Sequence, residues 1–300
     1  MRISKGGVAF FDSGIGGLTV LAECQKGQGK EIFYYYGDNQ HAPYGNLSPK
    51  KIKRYVFKAF RRFEKLKVKA AVLACNTATA VCVEELRKKY SFPIIGAEPA
   101  VCTAAAKGGK ILVLATRATC ESERLRALCD RAERLFPDAK ICIRPCDGLA
   151  GAIERNLMRE GCDFTSYLPH EKADAVVLGC THYIYIVEQI VRFYDCPIFD
   201  GNAGIARRLF SILQEEKMKN REKCTPLTTN RDKRPLGAHN DHKMGFLTTL
   251  TAKKENCQIL SNKCLHKMPK NAPKTSPKGG VIFLGKQREN NQKTHEQMFI

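Results

Sequence analysis

The sequence lacks the patterns that mark membrane-spanning and secreted proteins. No stretch approaches the roughly 20 consecutive apolar residues that would span a bilayer. The first residues, MRISKGGVAFFDSG, contain no long apolar segment of the kind found in signal peptides. We therefore predict a cytoplasmic protein with no membrane partner, and its 300 residues suffice for two domains with separate cores.

Closely spaced cysteine pairs are also missing. The 14 cysteines are scattered, many of them lie in apolar runs, and no CxxC occurs. Zinc sites usually contain such pairs, and disulfide frameworks are typical of short secreted chains. We predict that most of the cysteines are reduced structural thiols and that no metal is bound.

Acidic residues are scarce, because 50 Lys and Arg stand against 30 Asp and Glu and give a net charge of +20. The excess is concentrated in residues 217–300, which hold 18 Lys and Arg and 6 Asp and Glu. Within them, residues 217–278 are rich in Pro, Asn, Lys, Thr and Ser and have no long apolar run. This composition predicts a basic, disordered insertion.

Such a segment suggests a function of a different class, nucleic-acid binding, because Lys and Arg attract phosphates through counterion release. The segment has no regularly interleaved aromatic residues on which bases could stack. A solvated segment is therefore favoured, and nucleic acid is not expected as a partner.

Short apolar runs alternate with amphipathic segments along the first 216 residues. The predicted strands are GGVAFFD, EIFYYYGD, AAVLAC, FPIIGAE, KILVLAT, KICIRPC, DAVVLGC and CPIFDG. The predicted helices are PKKIKRYVFKAFRRFEKL, TATAVCVEELRKKY, ESERLRALCDRAERLF and YIYIVEQIVRFY. This alternation predicts an α/β fold with mostly parallel sheets.

The two halves of the chain resemble one another. Asp12 ends one strand and Cys75 ends another 63 residues later, while Thr116 and Cys180 stand 64 residues apart in the same way. The match predicts two similar parallel-rich α/β domains that face each other across a central cleft.

We predict domain boundaries from the same pattern. The first domain is placed at residues 1–96 with about 206–216 and 279–300, and the second at residues 97–205. A strand in GGVIFLG and a helix in QRENNQKTHEQMF would return the end of the chain to the first domain.

Three strands end in polar signatures, DSG at 12–14, CNT at 75–77 and CTH at 180–182. Open α/β sheets present reactive groups at the carboxyl ends of their strands. A cysteine in an apolar run is usually a core residue, but Cys75 and Cys180 each directly precede side chains able to cap a helix. We predict that both cysteines line one pocket at this edge. A thiol at a helix N-terminus is favoured as the thiolate, which would make each of them reactive.

Two loops add candidate substrate contacts. DSGIGGLT has neither the lysine of a P-loop nor the GxGxxG spacing, so Asp12 and Ser13 are interpreted as facing a small polar substrate rather than a nucleotide. The alternative is that Asp12 caps the following helix. In APYG, the N–H groups of Tyr44 and Gly45 could hold a carboxylate, or the loop could be an ordinary surface turn with Tyr44 packed beneath it.

His182 and Glu154 could tune Cys180, the first as a proton partner and the second as an orienting group. The alternatives are a structural histidine and a solvated glutamate on a helix.

The motifs DSGIGGLTV, APYG, VLACNTATA and VLGCTHY, in this order and spacing, resemble the glutamate racemase family. The resemblance covers residues 7 to about 214, with a weaker similarity in GGVIFLGKQREN. It implies a cofactor-independent isomerase that interconverts L- and D-glutamate and supplies D-glutamate for peptidoglycan synthesis, and thus for the cell wall and cell shape. It also implies two α/β domains around a cleft and, commonly, a homodimer.

The resemblance further implies a two-base mechanism, in which one thiolate removes the Cα proton and the other thiol donates a proton to the opposite face. Cys75 would be the base for D-glutamate, assisted by Asp12. Cys180 would be the base for L-glutamate, assisted by His182 and Glu154. The implied substrate contacts are Ser13, Asn76, Thr77 and Thr181 at the α-amino and α-carboxylate groups, Tyr44 and Gly45 at the side-chain carboxylate, and also Asp12, Thr116 and Thr119.

Two points stay open. A racemase for aspartate or another acidic amino acid is the alternative within the same class, since the substrates differ by one methylene and the pocket wall decides between them. For Thr119, the alternative is that it only caps the next helix. The form CTHY, together with DSGxGG and PYG, favours glutamate.

Overall fold

The computed structural model describes residues 6–26, 31–157, 159–222 and 281–285, with residues 216–222 and 281–285 as backbone alone. The strands are β1 (Val8–Asp12), β2 (Phe33–Gly37), β3 (Ala70–Leu73), β4 (Ile94–Gly96), β5 (Gly109–Ala115), β6 (Ala139–Pro145), β7 (Ala175–Leu178), β8 (Ile198–Phe199) and β9 (Val281–Gly285). The helices are α1 (Gly17–Gln25), α2 (Pro49–Lys65), α3 (Asn76–Lys89), α4 (Val101–Ala105), α5 (Arg117–Cys120), α6 (Glu123–Leu135), α7 (Leu149–Asn156), α8 (Val187–Tyr194) and α9 (Asn202–Glu222).

The strands form two sheets with the same internal order. In the first sheet, β1 pairs in parallel with β2 on one side and β3 on the other, and β4 lies beyond β3. In the second, β5 pairs in parallel with β6 and β7, and β8 lies beyond β7. We call each sheet with its helices a lobe. The predicted pair of similar, parallel α/β units is confirmed, and β1 and β3 correspond to β5 and β7.

One strand breaks the parallel pattern. β9 pairs antiparallel with β2 at the edge of the first sheet, with Val281 opposite Gly37 and Gly285 opposite Phe33. The strand predicted in GGVIFLG is therefore present, whereas the helix predicted in QRENNQKTHEQMF lies outside the described residues. The predicted domain boundaries stay a prediction.

Both faces of each sheet are covered, as the nearly continuous apolar strands require. In β1, Val8 and Phe10 point to a core shared with α1 and α9, while Ala9 and Phe11 point to a core shared with α2 and α3. β5 alternates in the same way between a core with α7 and α8 and a core with α4 and α6. The described helices include none both long and apolar enough to cross a membrane.

The last helix extends into the segment predicted to be disordered. α9 continues to Glu222, so residues 217–222 are helical although we predicted a disordered insertion from residue 217. The stretch QEEKMKNRE consists mostly of strong helix formers, which explains why the helix runs on. The rest of the predicted insertion, residues 223–278, lies outside the described residues.

Candidate active site

The polar ends of the central strands meet in one cavity between the lobes. The predicted site residues that line it are Ser13, Tyr44, Gly45, Cys75, Asn76, Thr77, Thr116, Cys180, Thr181 and His182. Asp12, Thr119 and Glu154 lie behind this lining, and each contacts one of its members. The cavity volume is about 10 Å³, which is room for about one water molecule. Both cysteines therefore face one small, closed space.

Cys75 is the N-cap residue of α3. Its sulfur accepts the N–H of Ala78 at 3.4 Å and lies 3.6 Å from Ser13 Oγ. Burial, together with the charge of nearby Asp12, raises the pKa of the Cys75 thiol from 9.0 to about 12. The prediction that the helix N-terminus favours the thiolate is therefore wrong for Cys75 in the closed site, because desolvation outweighs the N–H group.

Asp12 is fully buried at the end of β1. Its carboxylate accepts the N–H of Gly14 at 3.0 Å and the hydroxyl of Thr181, from the other lobe, at 3.3 Å. Burial raises the pKa of Asp12 from 3.8 to about 6, although the charge of His182 and the Gly14 N–H oppose the shift. Asp12 can therefore exchange a proton near neutral pH.

Cys180 stands at the equivalent position after β7, with a different partner. Its sulfur lies 3.8 Å from Nδ1 of His182, whose Nε2 contacts the carboxylate of Glu154 on α7. Burial alone would lower the pKa of His182, but the contacts with Cys180 and Glu154 outweigh it and hold that pKa well above 6.5. Glu154 is largely buried rather than solvated, with its side chain 16% exposed.

Three threonine hydroxyls connect the lobes. Thr77 Oγ1, at the start of α3, lies 2.9 Å from Thr116 Oγ1 and 3.1 Å from Thr119 Oγ1, and the latter two are 3.0 Å apart. Helix capping falls to Thr116 for α5 and to Ser122 for α6, so Thr119 is not the cap residue. Because a hydroxyl group can both donate and accept, the three threonine hydroxyls serve as one another's hydrogen-bond partners in the closed cavity.

The Tyr44 loop is held by two residues that sequence reasoning missed. The Tyr44 hydroxyl is buried and donates to Asp38 at 2.6 Å, and burial raises its pKa. Asp38 also contacts Nδ1 of His41 at 2.9 Å, and the His41 ring stacks on Tyr55 of α2 with ring centroids 3.7 Å apart. A polar loop sequence gives no sign that one of its acids is buried.

The glycines after Asp12 lie at the junction of the two lobes. A Cβ on Gly14 would lie 2.6 Å from a carboxylate oxygen of Glu154, and one on Gly16 would lie 2.3 Å from Thr181 Oγ1. These glycines therefore let the first lobe approach the second. Tyr185, also missed, donates its hydroxyl across the same junction to the Ile15 carbonyl at 2.9 Å.

One polar atom in the cavity wall is unsatisfied. Asn76 Oδ1 is buried and has no hydrogen-bond partner within the described residues. A buried acceptor without a donor destabilises the folded protein, and a ligand that donates a hydrogen bond to this oxygen would remove that cost. In the part of the chain that the structure describes, no three His, Cys, Asp or Glu side chains are grouped to hold a metal ion.

Comparisons with known proteins agree with this geometry. The sequence profile of the Asp/Glu/Hydantoin racemase family matches residues 22–209. A glutamate racemase of Clostridium acetobutylicum is 38% identical over 220 residues, which is 70% of this chain and 84% of that protein. One of Clostridium botulinum is 38% identical over 249 residues, or 78% of this chain and 95% of that protein.

Solved structures lead to the same family. The Escherichia coli glutamate racemase in complex with L-glutamate and the activator UDP-MurNAc-Ala aligns with a TM-score of 0.63 and 30% identity, over 70% of this chain and 83% of that one. The Bacillus anthracis isoform RacE1 aligns with a TM-score of 0.62 and 30% identity, over 70% and 82%. The predicted resemblance is thus confirmed, and the chain belongs to the glutamate racemases of the Asp/Glu/Hydantoin racemase family, which are isomerases.

Proposed function

We propose that this chain racemises glutamate with two bases, Cys75 and Cys180, acting on opposite faces of Cα. The observation that carries this proposal is that the two thiols, from corresponding strands of facing lobes, line one cavity. A single base would return the proton to the face from which it came, so inversion needs a donor on the opposite side. Relatives are described with L-glutamate and with D-glutamate bound.

The surroundings of the thiols suggest how each begins the reaction. Protonated His182, 3.8 Å from Cys180, would stabilise a Cys180 thiolate, and Glu154 would balance the imidazolium charge. Cys75 is held as a thiol by burial. This arrangement suits L-glutamate, because Cys180 would remove the Cα proton while Cys75 donates its own.

The reverse direction needs a base for the Cys75 proton. Asp12, with its pKa raised to about 6, is suited to accept that proton when D-glutamate binds. Proton transfer of this kind contributes about 10²–10⁴ in rate, so fixed donors must also stabilise the charge that develops on the substrate carboxylate. The amide of Asn76 and the hydroxyls of Ser13 and Thr181, which line the cavity, would be these donors.

Substrate entry requires the lobes to separate, because the cavity has room for about one water molecule. The side-chain carboxylate of glutamate would then replace the mutual hydrogen bonds of Thr77, Thr116 and Thr119, near Tyr44 and Gly45. Residues Ser13, Asn76 and Thr181 would hold the α-amino and α-carboxylate groups. The cytoplasmic location, the homodimer, the independence from cofactors and the supply of D-glutamate for peptidoglycan stay predictions.

The test incubates the purified protein with L-glutamate in D₂O without pyridoxal phosphate or added metal, and follows optical rotation and deuterium at Cα. We expect racemisation with one solvent deuterium per inversion. Cys75→Ser and Cys180→Ser should each abolish racemisation of both enantiomers. Cys24→Ala, a change at a buried thiol outside the cavity, is the matched control and should racemise normally.

A folded protein without racemisation or exchange would refute the proposal, as would a double Cys75→Ala, Cys180→Ala variant with an intact rate. Aspartate is assayed in parallel. Faster turnover of aspartate than of glutamate would assign the chain to the alternative substrate.

A further inference from the structure

Helix α2 presents an unusually basic face to solvent. Its seventeen residues, PKKIKRYVFKAFRRFEK, contain eight Lys and Arg and a single acidic residue, Glu64. The exposed cations that follow one another along the helix are Lys51, Arg54, Lys58, Arg61 and Lys65. We call these five residues the cationic face of α2. None of them lines the cavity between the lobes.

The spacing of the cationic face makes it one continuous strip. Successive members are three or four residues apart, which places them on the same side of a helix with neighbouring Cβ atoms about 5–6 Å apart. From the first to the last the strip is about 21 Å long, at a rise of about 1.5 Å per residue.

These charges are not neutralised by the rest of the described protein. No ion pair or side-chain hydrogen bond involves any of the five within the described ranges, whereas Lys53, on the adjacent side of the helix, pairs with Glu85. Helix α6 in the second lobe differs, because its four Arg are mixed with three acidic residues. A strip of like charges costs free energy, so a partner of opposite charge would relieve it.

The chemistry of the helix selects among polyanions. Its apolar residues Ile52, Val56, Phe60 and Phe63 are packed in the core of the first lobe. Phe57 is partly buried against the same core, and none of the large apolar side chains of α2 is fully exposed. The helix therefore lacks the exposed apolar face that membrane-surface helices insert into a bilayer. A row of Lys and Arg along one helix is instead the electrostatic pattern of nucleic-acid binding.

We propose that the cationic face of α2 binds the phosphate backbone of double-stranded nucleic acid, without reading its sequence. Five phosphate contacts would give log K a slope of about −4.5 against log salt concentration. The proposal is independent of racemisation and of residues 217–278.

The test measures fluorescence anisotropy of a labelled DNA duplex with the full chain over a series of salt concentrations. Arg54→Gln, Lys58→Gln and Arg61→Gln are combined in one variant, because Gln keeps a high helix propensity. We expect the slope of log K against log salt concentration to be smaller in magnitude by about 3 in this variant. The variant should also lose most of its affinity for the duplex at low salt. Arg126→Gln with Arg134→Gln, on the mixed face of α6, is the matched control and should bind like the unchanged protein.

Three results would overturn the proposal. The first is that the unchanged protein shows no saturable duplex binding at low salt. The second is that the triple variant keeps the slope of the control, which would assign the binding to other cations. Tighter α2-dependent binding to phosphatidylserine vesicles than to the duplex would assign the face to membranes. Glutamate racemisation, assayed on every variant, shows that each is folded and separates this test from that of the proposed function.

Discussion

The two lobes share a strand order and differ in the chemistry at corresponding strand ends. β1 and β3 lead to Asp12 and Cys75, whereas β5 and β7 lead to Thr116 and Cys180. The first thiol accepts a helix N–H and has a carboxylate nearby, while the second lies beside the imidazole of His182. A repeated scaffold thus places two like groups at one cavity, and the residues next to each thiol differ in chemistry.

The largest effect is expected from removing the partner of one thiol. His182→Asn should lower kcat/KM by about 10²–10⁴. Both enantiomers of glutamate have equal free energy in water, so kcat/KM must fall equally in the two directions. The deuterium isotope effect is therefore the measurement that separates the lobes. It should grow with Cα-deuterated L-glutamate, because proton removal by Cys180 becomes slower, and not with the D-enantiomer.

Asp12→Asn is the matched variant in the first lobe. Its isotope effect should grow with Cα-deuterated D-glutamate instead, since proton removal by Cys75 is then the slowed step. Equal isotope effects for both enantiomers in both variants would show that the two thiols are not assisted separately.

Asp12 should also make stability depend on pH. Its pKa is about 6 in the folded protein and 3.8 ordinarily, so the folded state binds the proton more tightly. The resulting stabilisation is complete below about pH 4 and is lost as the pH rises through about 6, a change of about 3 kcal/mol. Urea unfolding of the unchanged protein and Asp12→Asn across this range should show the variant gaining relative stability as pH rises. Parallel curves would contradict the burial argument.

A smaller effect is expected where the lobes touch. Gly16→Ala would place a Cβ 2.3 Å from Thr181 Oγ1 and 2.8 Å from His182 Nδ1. Overpacking should destabilise the protein by about 1–3 kcal/mol, with a lower rate because His182 is displaced. Gly204→Ala is the control, since its Cβ meets only Arg207 at 3.9 Å and the change within α9 should stabilise by about 0.4–1 kcal/mol. Thermal unfolding of both variants is the measurement. Equal melting temperatures would contradict the expected overpacking at Gly16.

The smallest effect should come from the loop of the first lobe. Asp38→Asn weakens the hydrogen bond that holds Tyr44 and the contact with His41. We expect KM for glutamate to rise about two- to tenfold, with kcat changed less. Asp163→Asn, at an exposed position where the carboxylate accepts hydrogen bonds from Thr165, is the control. A fall in kcat at constant KM would show that Asp38 does not act through substrate binding.

The strands and the meeting of their ends were predictable because the signal is local. Apolar runs ending in DSG, CNT and CTH mark both the strands and the edge where parallel strands present polar groups. The protonated state of Cys75 was not predictable, because it depends on burial by the opposite lobe. The contacts of Tyr185 and Asp38 likewise join residues far apart in sequence or buried by the fold.

The small volume of the cavity affects which hydrogen atom the product carries at Cα. The closed cavity has room for about one water molecule. When the lobes close again over glutamate, as proposed, a hydrogen that one cysteine takes from Cα would meet almost no solvent before the other cysteine delivers its own. The substrate's hydrogen would stay on the first sulfur until the lobes part. Each molecule of product would then carry a hydrogen loaded from water before the substrate arrived, and each turnover would leave the two sulfur atoms with their protonation states exchanged.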